Sequence, residues 1–155
     1  MAAQPKQLMI QNLYIKDLSF EAPNSPQIFR EQWQPEVEFN LQNNHTKLAE
    51  GVYEATLTVT VTVKSGEKTA FLVEVVQAGI FTIQGFTEEE MGPLLGIYCP
   101  NTLYPYAREV VSSLSVKGGF MPLILPPVNF EAIYAEQMRR RQQPQQKAAP
   151  HEPSH

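Results

Sequence analysis

Cysteine and histidine are nearly absent from this chain, which limits the chemistry it can perform. The 155 residues include one cysteine, Cys99, and three histidines. His151 and His155 lie close to the C-terminus, and His45 falls in a polar stretch that we interpret as a loop between strands. One thiol excludes an intrachain disulfide framework and fits a reducing compartment. So few nucleophiles, bases and soft ligands predict neither a catalytic triad nor a zinc site, and we expect no enzyme activity and no bound metal.

A complete phosphate-binding loop is also missing. Residues 66–69 read Gly-Glu-Lys-Thr, but the motif requires glycine where Glu67 and Thr62 stand. The segment also joins two predicted strands instead of leading into a helix. We therefore expect the protein to act without ATP and without any other cofactor.

Charged residues are scarce, and no long hydrophobic run is present. Only 18% of the residues are charged, 43% are hydrophobic, and the net charge is −4. A negative net charge argues against nucleic acid or anionic membrane as the main partner. No stretch approaches the roughly 20 apolar residues of a membrane span, and the first residues lack the apolar core of a signal peptide. The composition predicts a cytoplasmic, one-domain protein that buries additional surface in an oligomer.

Two apolar segments are interrupted by prolines. Residues 118–128 read Gly-Gly-Phe-Met-Pro-Leu-Ile-Leu-Pro-Pro-Val, and residues 20–35 also carry three prolines. Proline removes backbone donors and fixes φ, so neither segment can form a helix or a central strand. Irregular apolar chain either packs under neighbours, for example at a subunit contact, or lines a site for apolar partners. The second interpretation predicts a groove for extended, unfolded polypeptide. Its candidate lining residues are Ile28, Phe29, Trp33, Phe39, Phe120, Met121, Leu123 and Ile133.

Alternating hydrophobicity predicts an antiparallel sheet of four strands. Between residues 52 and 64 apolar side chains alternate with threonine and glutamate, the period of a strand. A turn at residues 65–67 leads into a partner strand at 68–81, which carries apolar groups on both faces. Weaker alternation predicts strands at 8–21 and 35–42. The connection between these two is too long for a tight hairpin, so we expect it to cross the sheet.

Helical periodicity follows the strands. Thr87 and Glu90 have the spacing of a capping box, and Gly92-Pro93 and Cys99-Pro100 predict an interrupted helical start. A firmer helix is predicted over about 103–117, with Gly118 just past its end in the C′ position. Its apolar stripe consists of Leu103, Tyr106, Ala107, Val110, Val111 and Leu114.

The chain is expected to end in a last helix and a tail. Asn129 is placed to cap a helix that carries Phe130, Ile133 and Tyr134 on one side. Residues 143–155 are rich in Gln, Pro, Ala and His and show no apolar periodicity, which predicts disorder. With residues 1–7 as a flexible N-terminus, one domain spans residues 8–142.

Four segments resemble a known family. Residues 17–24 read Asp-Leu-Ser-Phe-Glu-Ala-Pro-Asn, residues 71–75 read Phe-Leu-Val-Glu-Val, and residues 99–109 run from Cys-Pro-Asn-Thr-Leu to Arg-Glu. With the Pro-Pro-Val-Asn-Phe of residues 126–130, they resemble the SecB family of bacterial export chaperones over roughly residues 8–142. The resemblance implies an α+β subunit with a four-stranded antiparallel sheet and two C-terminal helices. It also implies a homotetramer, assembled as a dimer of dimers.

The resemblance also implies a function and its partners. Members capture unfolded preproteins without ATP, keep them competent for translocation and deliver them to the SecA motor. The positions that match those holding the zinc-bearing C-terminal tail of SecA are Asp17, Glu21, Leu72 and Glu74. Without the resemblance, these carboxylates would be interpreted as a solvated sheet face that aids solubility.

Subunit contacts and other functions complete the expectations. The apolar groups on both faces of the 68–81 strand, together with the resemblance, make Val73, Val75 and Gln77 candidates for the oligomer interface. A general holdase for unfolded proteins and a domain that binds small hydrophobic ligands stay open as alternatives.

Overall fold

A computed structural model describes residues 5–142, and four strands in this range form one antiparallel sheet. The strands are β1 Gln7–Glu21, β2 Pro35–Ala49, β3 Val52–Ser65 and β4 Lys68–Gln84. Their order is β1-β4-β3-β2, so β1 and β2 form opposite edges and their connection crosses the sheet, as predicted. The N-terminal segment predicted at 1–7 lies largely, and the tail predicted at 143–155 wholly, outside the described residues.

The second half of β2 was missed in the sequence. The sequence predicts a loop at His45, but His45 lies within β2 and pairs with Ala55 of β3. The strand continues to Ala49 and turns through two residues, of which Gly51 has a φ of 71°. The residues there are polar and show no hydrophobic alternation, because β2 is an edge strand that solvent reaches. The strand is held by backbone hydrogen bonds to β3, which hydrophobic periodicity does not predict.

Three helices follow the sheet. They are α1 Glu88–Pro93, α2 Cys99–Lys117 and α3 Phe130–Gln142, and a π-helical segment, Leu94–Tyr98, joins α1 to α2. The predicted capping box of Thr87 and Glu90 is confirmed, and the Asn129 side chain accepts a hydrogen bond from the Ala132 amide, as expected of an N-cap. No helix within residues 5–142 is long and apolar enough to cross a membrane.

The predicted interrupted start takes the form of this π-helical segment, and the chain stays helical through Cys99-Pro100. In the π-helical segment the Cys99 amide donates to the Leu94 carbonyl, one residue further back than in an α-helix. The carbonyl of Leu95 is thereby released, and the Asn43 side-chain amide of β2 donates to it across 3.3 Å. A side chain from the sheet thus compensates for the irregularity that precedes Pro100, which supplies no amide hydrogen.

The end of α2 also differs from the prediction by one residue. Gly118 is the C-cap with a right-handed φ of −77°, and Gly119 takes the left-handed conformation with a φ of 92°. The Gly119 amide donates to the Val116 carbonyl and the Phe120 amide to the Ser115 carbonyl. These two bonds form a Schellman motif, in which the glycine past the cap must have a positive φ.

The core lies between α2 and the two central strands. Buried valines of β3 and β4 contact a row of α2 side chains spaced by four residues. That row consists of Leu103, Ala107, Val111 and Ser115. Tyr106, which we included in the apolar stripe, is instead 50% exposed on the side of α2 away from the sheet. Because one helix covers two strands, the helix-side residues of the edge strands remain uncovered, among them Ile15, Leu18, Val37 and Phe39.

The three candidate interface residues lie beneath α2. Val73 and Val75 are 1% and 0% exposed within one chain, and Gln77 is also buried, donating from its side chain to the Tyr14 carbonyl across 3.2 Å. Within one chain, α2 therefore already covers the side of β4 on which these three residues lie. Their place at the oligomer interface stays a prediction.

Candidate functional site

Two irregular segments form the walls of an apolar cleft beside the sheet. The first, residues 22–34, is the connection that crosses the sheet, and we call it the crossing wall. It contains a short 3-10 turn, Gln27–Arg30. The second, residues 118–129, follows α2, and we call it the loop wall. Between them lies a cavity of about 190 Å³, which we call the aromatic groove. It is lined by Ile28, Phe29, Glu31, Trp33, Gly119, Phe120 and Met121.

Phe120 is the centre of the aromatic groove. Its ring centroid lies 5.1 Å from that of Phe29 and 5.7 Å from that of Trp33, both in the opposite wall. On its inner side it lies 4.8 Å from the ring of the buried Phe71 of β4. Phe29 is 49% and Trp33 39% exposed, so the rings meet solvent on one side and the core on the other. Such spacings are those of favourable aromatic pairs.

The crossing wall is fastened to the turn between β3 and β4. The buried Ser65 hydroxyl donates to the Gln32 carbonyl and accepts from the Gln34 amide at 2.9 Å. The Asn24 side-chain amide donates to the Thr69 carbonyl at 2.8 Å. These bonds hold residues that flank the aromatic rings, so Phe29 and Trp33 stay exposed without losing their position.

One charge lies at the rim. Glu31 lines the aromatic groove and forms an ion pair with Lys68 of β4. Both side chains are more than 40% exposed, so the pair adds little stability. Because the Glu31 carboxylate is paired at the rim, it does not place an unpaired charge among the apolar residues of the groove.

Five of the eight predicted groove residues are brought together. Ile28, Phe29, Trp33, Phe120 and Met121 line the cavity. The other three do not line it: Phe39 lies on the edge strand β2, Leu123 packs against the core, and Ile133 lies on α3. Sequence reasoning missed Glu31 and Gly119. The signal for Gly119 was the pair of glycines that ends α2.

The four predicted docking residues share the face of the sheet opposite α2. Glu21 pairs with Leu72 and Ser19 with Glu74, and Asp17 pairs with Val76 on the same face. Asp17, Glu21 and Glu74 are exposed and Leu72 is half-buried. We call these four residues the acidic face. Glu74 also accepts a hydrogen bond from the Thr60 hydroxyl at 3.3 Å, across to β3.

A second polar cluster lies further along the same side. Lys16 forms an ion pair with Glu54 at 2.7 Å, and the Tyr14 hydroxyl donates to the same carboxylate. Burial, together with the hydrogen bond to Glu54, raises the pKa of Tyr14 to about 12. The hydrogen bonds from Lys16 and Tyr14 lower the pKa of Glu54 below its ordinary value.

The remaining reactive group is enclosed. Cys99 is fully buried at the start of α2, and burial raises the pKa of its thiol to about 12. A thiol that stays protonated is a poor nucleophile, so Cys99 acts as a small apolar core residue. Among residues 5–142, no group of three or more His, Cys, Asp and Glu side chains could hold a metal ion.

A sheet backed by one long helix, with aromatic rings kept exposed between two anchored irregular walls, is the arrangement expected of a binding protein for apolar partners. A family model described as "Preprotein translocase subunit SecB" matches residues 1–141. The chain therefore belongs to the SecB family, whose members are protein-export chaperones. A chaperone family is not an enzyme class.

Curated relatives and a solved structure agree with this assignment. The chain is 60% identical over 146 residues to "Protein-export protein SecB" of Methylococcus capsulatus, covering 94% of each chain. It is 57% identical over 141 residues to the protein of the same name from Nitrosococcus oceani, covering 90% of this chain and 86% of that one. The Mycobacterium tuberculosis Rv1957 SecB-like chaperone, solved in complex with a ChAD peptide from the Rv1956 HigA1 antitoxin, superposes with a TM-score of 0.66. It covers 78% of this chain and 90% of that one at 15% identity, which shows a common fold.

Proposed function

We propose that this cytoplasmic protein captures unfolded preproteins without ATP, keeps them translocation-competent and delivers them to the SecA motor. The observation that carries the proposal is the aromatic groove, in which Phe29, Trp33 and Met121 remain exposed although a folded chain normally buries such side chains. Aromatic and methionine surfaces adapt to varied sequences because their contacts are weakly directional.

The groove favours a polypeptide over a small ligand. Its cavity of about 190 Å³ is smaller than the pockets of about 300–1,000 Å³ that enclose drug-sized molecules. Phe39, exposed on the same face of the sheet as Phe71, and Leu123 in the loop wall would extend the apolar contacts along a longer client segment. Ile133 lies on α3, which packs against the π-helical segment at the other end of α2, so only a still longer client would reach it. The cavity thus suits one or two side chains of a bound chain, and the neighbouring apolar surface the rest.

The acidic face is the proposed docking surface for SecA. Asp17, Glu21, Leu72 and Glu74 project from one face of two paired strands, and the aromatic groove lies on the other side of the sheet. A client and the zinc-bearing tail of the motor could therefore bind at the same time. Negative charge on an exposed face accelerates the approach of a basic partner.

Assembly into a homotetramer, as a dimer of dimers, is the third part of the proposal. Apolar surface is available on the outer side of α2 and on the edge strand β1, where Tyr106, Val116, Ile15 and Leu18 are each 41–52% exposed. Val73, Val75 and Gln77 would contribute indirectly, by supporting α2 from beneath.

Titration with a client tests the proposal. Trp33 is the only tryptophan, so its fluorescence reports occupancy of the aromatic groove directly. We expect a reduced, alkylated and permanently unfolded polypeptide to change this fluorescence, and its folded form to leave it unchanged. Trp33→Phe should abolish the signal while calorimetry still detects binding.

Equal affinity for the folded and unfolded forms would refute the capture function. Binding of small apolar ligands alone would favour the alternative of a ligand-binding domain, and capture without SecA affinity a general holdase.

A further inference from the structure

A serine interrupts the buried row of α2 at its last position. Leu103, Ala107 and Val111 face the sheet at intervals of four residues, and Ser115 continues the row with 0% exposure. A hydroxyl in such a position must find hydrogen-bond partners, since burying it without one costs free energy. The row therefore ends in a buried hydroxyl, and its hydrogen-bond partners indicate its role.

Ser115 binds the loop wall of the aromatic groove at two points. Its hydroxyl donates to the Ser112 carbonyl at 2.7 Å and accepts from the Leu123 amide at 2.9 Å. Its own carbonyl accepts from the Phe120 amide, also at 2.9 Å. One buried residue thus holds two backbone amides of the loop that lie three residues apart.

Leu125 packs the loop into the core, but the loop has few other polar restraints along this stretch. No regular secondary structure is present in residues 118–129, and Met121 and Ile124 are each 76% exposed. The next side-chain anchor is the Tyr104 hydroxyl, which donates to the Pro126 carbonyl. Between the helix end and Pro126, the side-chain bond that fixes the backbone is therefore the one from Leu123 to Ser115.

We propose that Ser115 is a positioning residue for client capture, which acts by holding the ring of Phe120 in the aromatic groove. This inference rests on the proposed chaperone function. The Schellman bonds direct the chain out of the helix, and the Leu123 bond closes the backbone on the far side of Phe120, so the ring is fixed from both ends. Ser115 itself does not line the cavity.

Alanine at this position would remove the acceptor and leave the half-buried Leu123 amide without its hydrogen-bond partner. The loop can restore a partner only by moving this amide toward water, which would withdraw Phe120 from Phe29 and Trp33. Threonine retains a hydroxyl that can form both bonds. Ser113→Ala deletes the same atoms from a half-buried position of the same helix and is the matched control.

Two measurements without any client test the positioning itself. In Ser115→Ala, the Leu123 amide should exchange its hydrogen faster than in the wild type, and the emission of Trp33 should shift to the red as Phe120 withdraws. Ser115→Thr should restore both signals, and Ser113→Ala should change neither. Wild-type exchange and emission in Ser115→Ala would overturn the inference, whatever the protein binds.

Client affinity then tests the consequence. Loss of one buried hydrogen bond predicts that Ser115→Ala binds the unfolded polypeptide roughly fivefold to tenfold more weakly, with recovery in Ser115→Thr. An unchanged affinity in a variant whose loop has moved would also overturn the inference. Failure of the wild type to prefer unfolded chain is a separate result: it would refute the proposed function, and the exchange data would still report whether Ser115 positions Phe120.

Discussion

The rings of Phe120 and Phe71 lie 4.8 Å apart, and they join the exposed groove to the buried core. Phe71 is 2% exposed on β4, whereas Phe120 belongs to the irregular chain after α2. Phe71 also stacks on Phe20 of β1 at 5.8 Å. An irregular loop is thereby held against the buried core of the sheet, which keeps its apolar surface in place.

Phe120→Ala should weaken client capture more than it weakens the fold. Three aromatic partners lose their common neighbour, so we expect at least about a tenfold loss in affinity for unfolded polypeptide. The half-buried ring should cost about 2 kcal/mol of unfolding free energy, less than a fully buried phenylalanine. Fluorescence titration and urea unfolding measure the two effects. Ile124→Ala, in the same loop and exposed, should change neither, and an equal effect of both variants would contradict the central role of Phe120.

Neutralising the acidic face should affect the motor alone. We expect Asp17→Asn with Glu74→Gln to weaken binding of the SecA tail, because two exposed carboxylates that attract a basic partner are lost. Wild-type affinity should fall with rising salt, since exposed charges are screened beyond about 8 Å at physiological ionic strength. Calorimetry with the isolated tail measures this. Retained SecA affinity with lost client binding would show that the two surfaces were assigned the wrong way round.

The buried position of Val75 predicts different outcomes for two aspartate variants. Val75→Asp places a carboxylate beneath α2, where no water reaches it, and should destabilise the fold by more than about 3 kcal/mol. Tyr106→Asp, on the exposed side of α2, should reduce the assembly to smaller species with little loss of stability. Sedimentation and thermal unfolding distinguish them. Stable, folded dimers of Val75→Asp would instead place Val75 directly at a subunit contact.

Stability should decline in acid partly through Glu54. Its pKa in the folded chain is lowered from the ordinary 4.5 by hydrogen bonds from Lys16 and Tyr14. The stabilising contribution is therefore fully present above pH 4.5 and is lost as pH falls through the lowered, folded-state pKa. Glu54→Gln should flatten the decline in urea midpoint between neutral pH and about pH 3. Glu50→Gln, at an exposed ion pair with Lys47, should leave the profile unchanged. An unaltered profile in Glu54→Gln would refute the assignment.

Residues whose roles depend on neighbours in sequence were predicted well. The alternation in β3 and β4, the capping box at Thr87 and the N-cap at Asn129 are local patterns, and each forms as expected. Prolines also identified both walls of the aromatic groove, because they exclude regular structure wherever the chain later packs. Five of the eight groove residues followed from this exclusion.

Other features depended on distant contacts. The helix continues through Pro100, and the side-chain amide of Asn43, more than fifty residues earlier, donates to the Leu95 carbonyl that the π-helical segment leaves free. No local pattern in the sequence could reveal this partner. The polar end of β2 likewise became a strand only because β3 lies beside it.

The sequence by itself determined the family, the long connection that crosses the sheet between β1 and β2, and the location of the apolar, proline-rich walls. These features depend on periodicity, turn residues and proline, which act over a few residues. Only the tertiary structure decided which apolar side chains stay exposed. One helix covers two of four strands, so Val75 is buried while Leu18 is not, although both are aliphatic residues paired on neighbouring strands. The tertiary structure also determines the proposed role of Ser115, a polar residue in an apolar row, in positioning Phe120. Burial depends on what the whole fold places opposite each side chain.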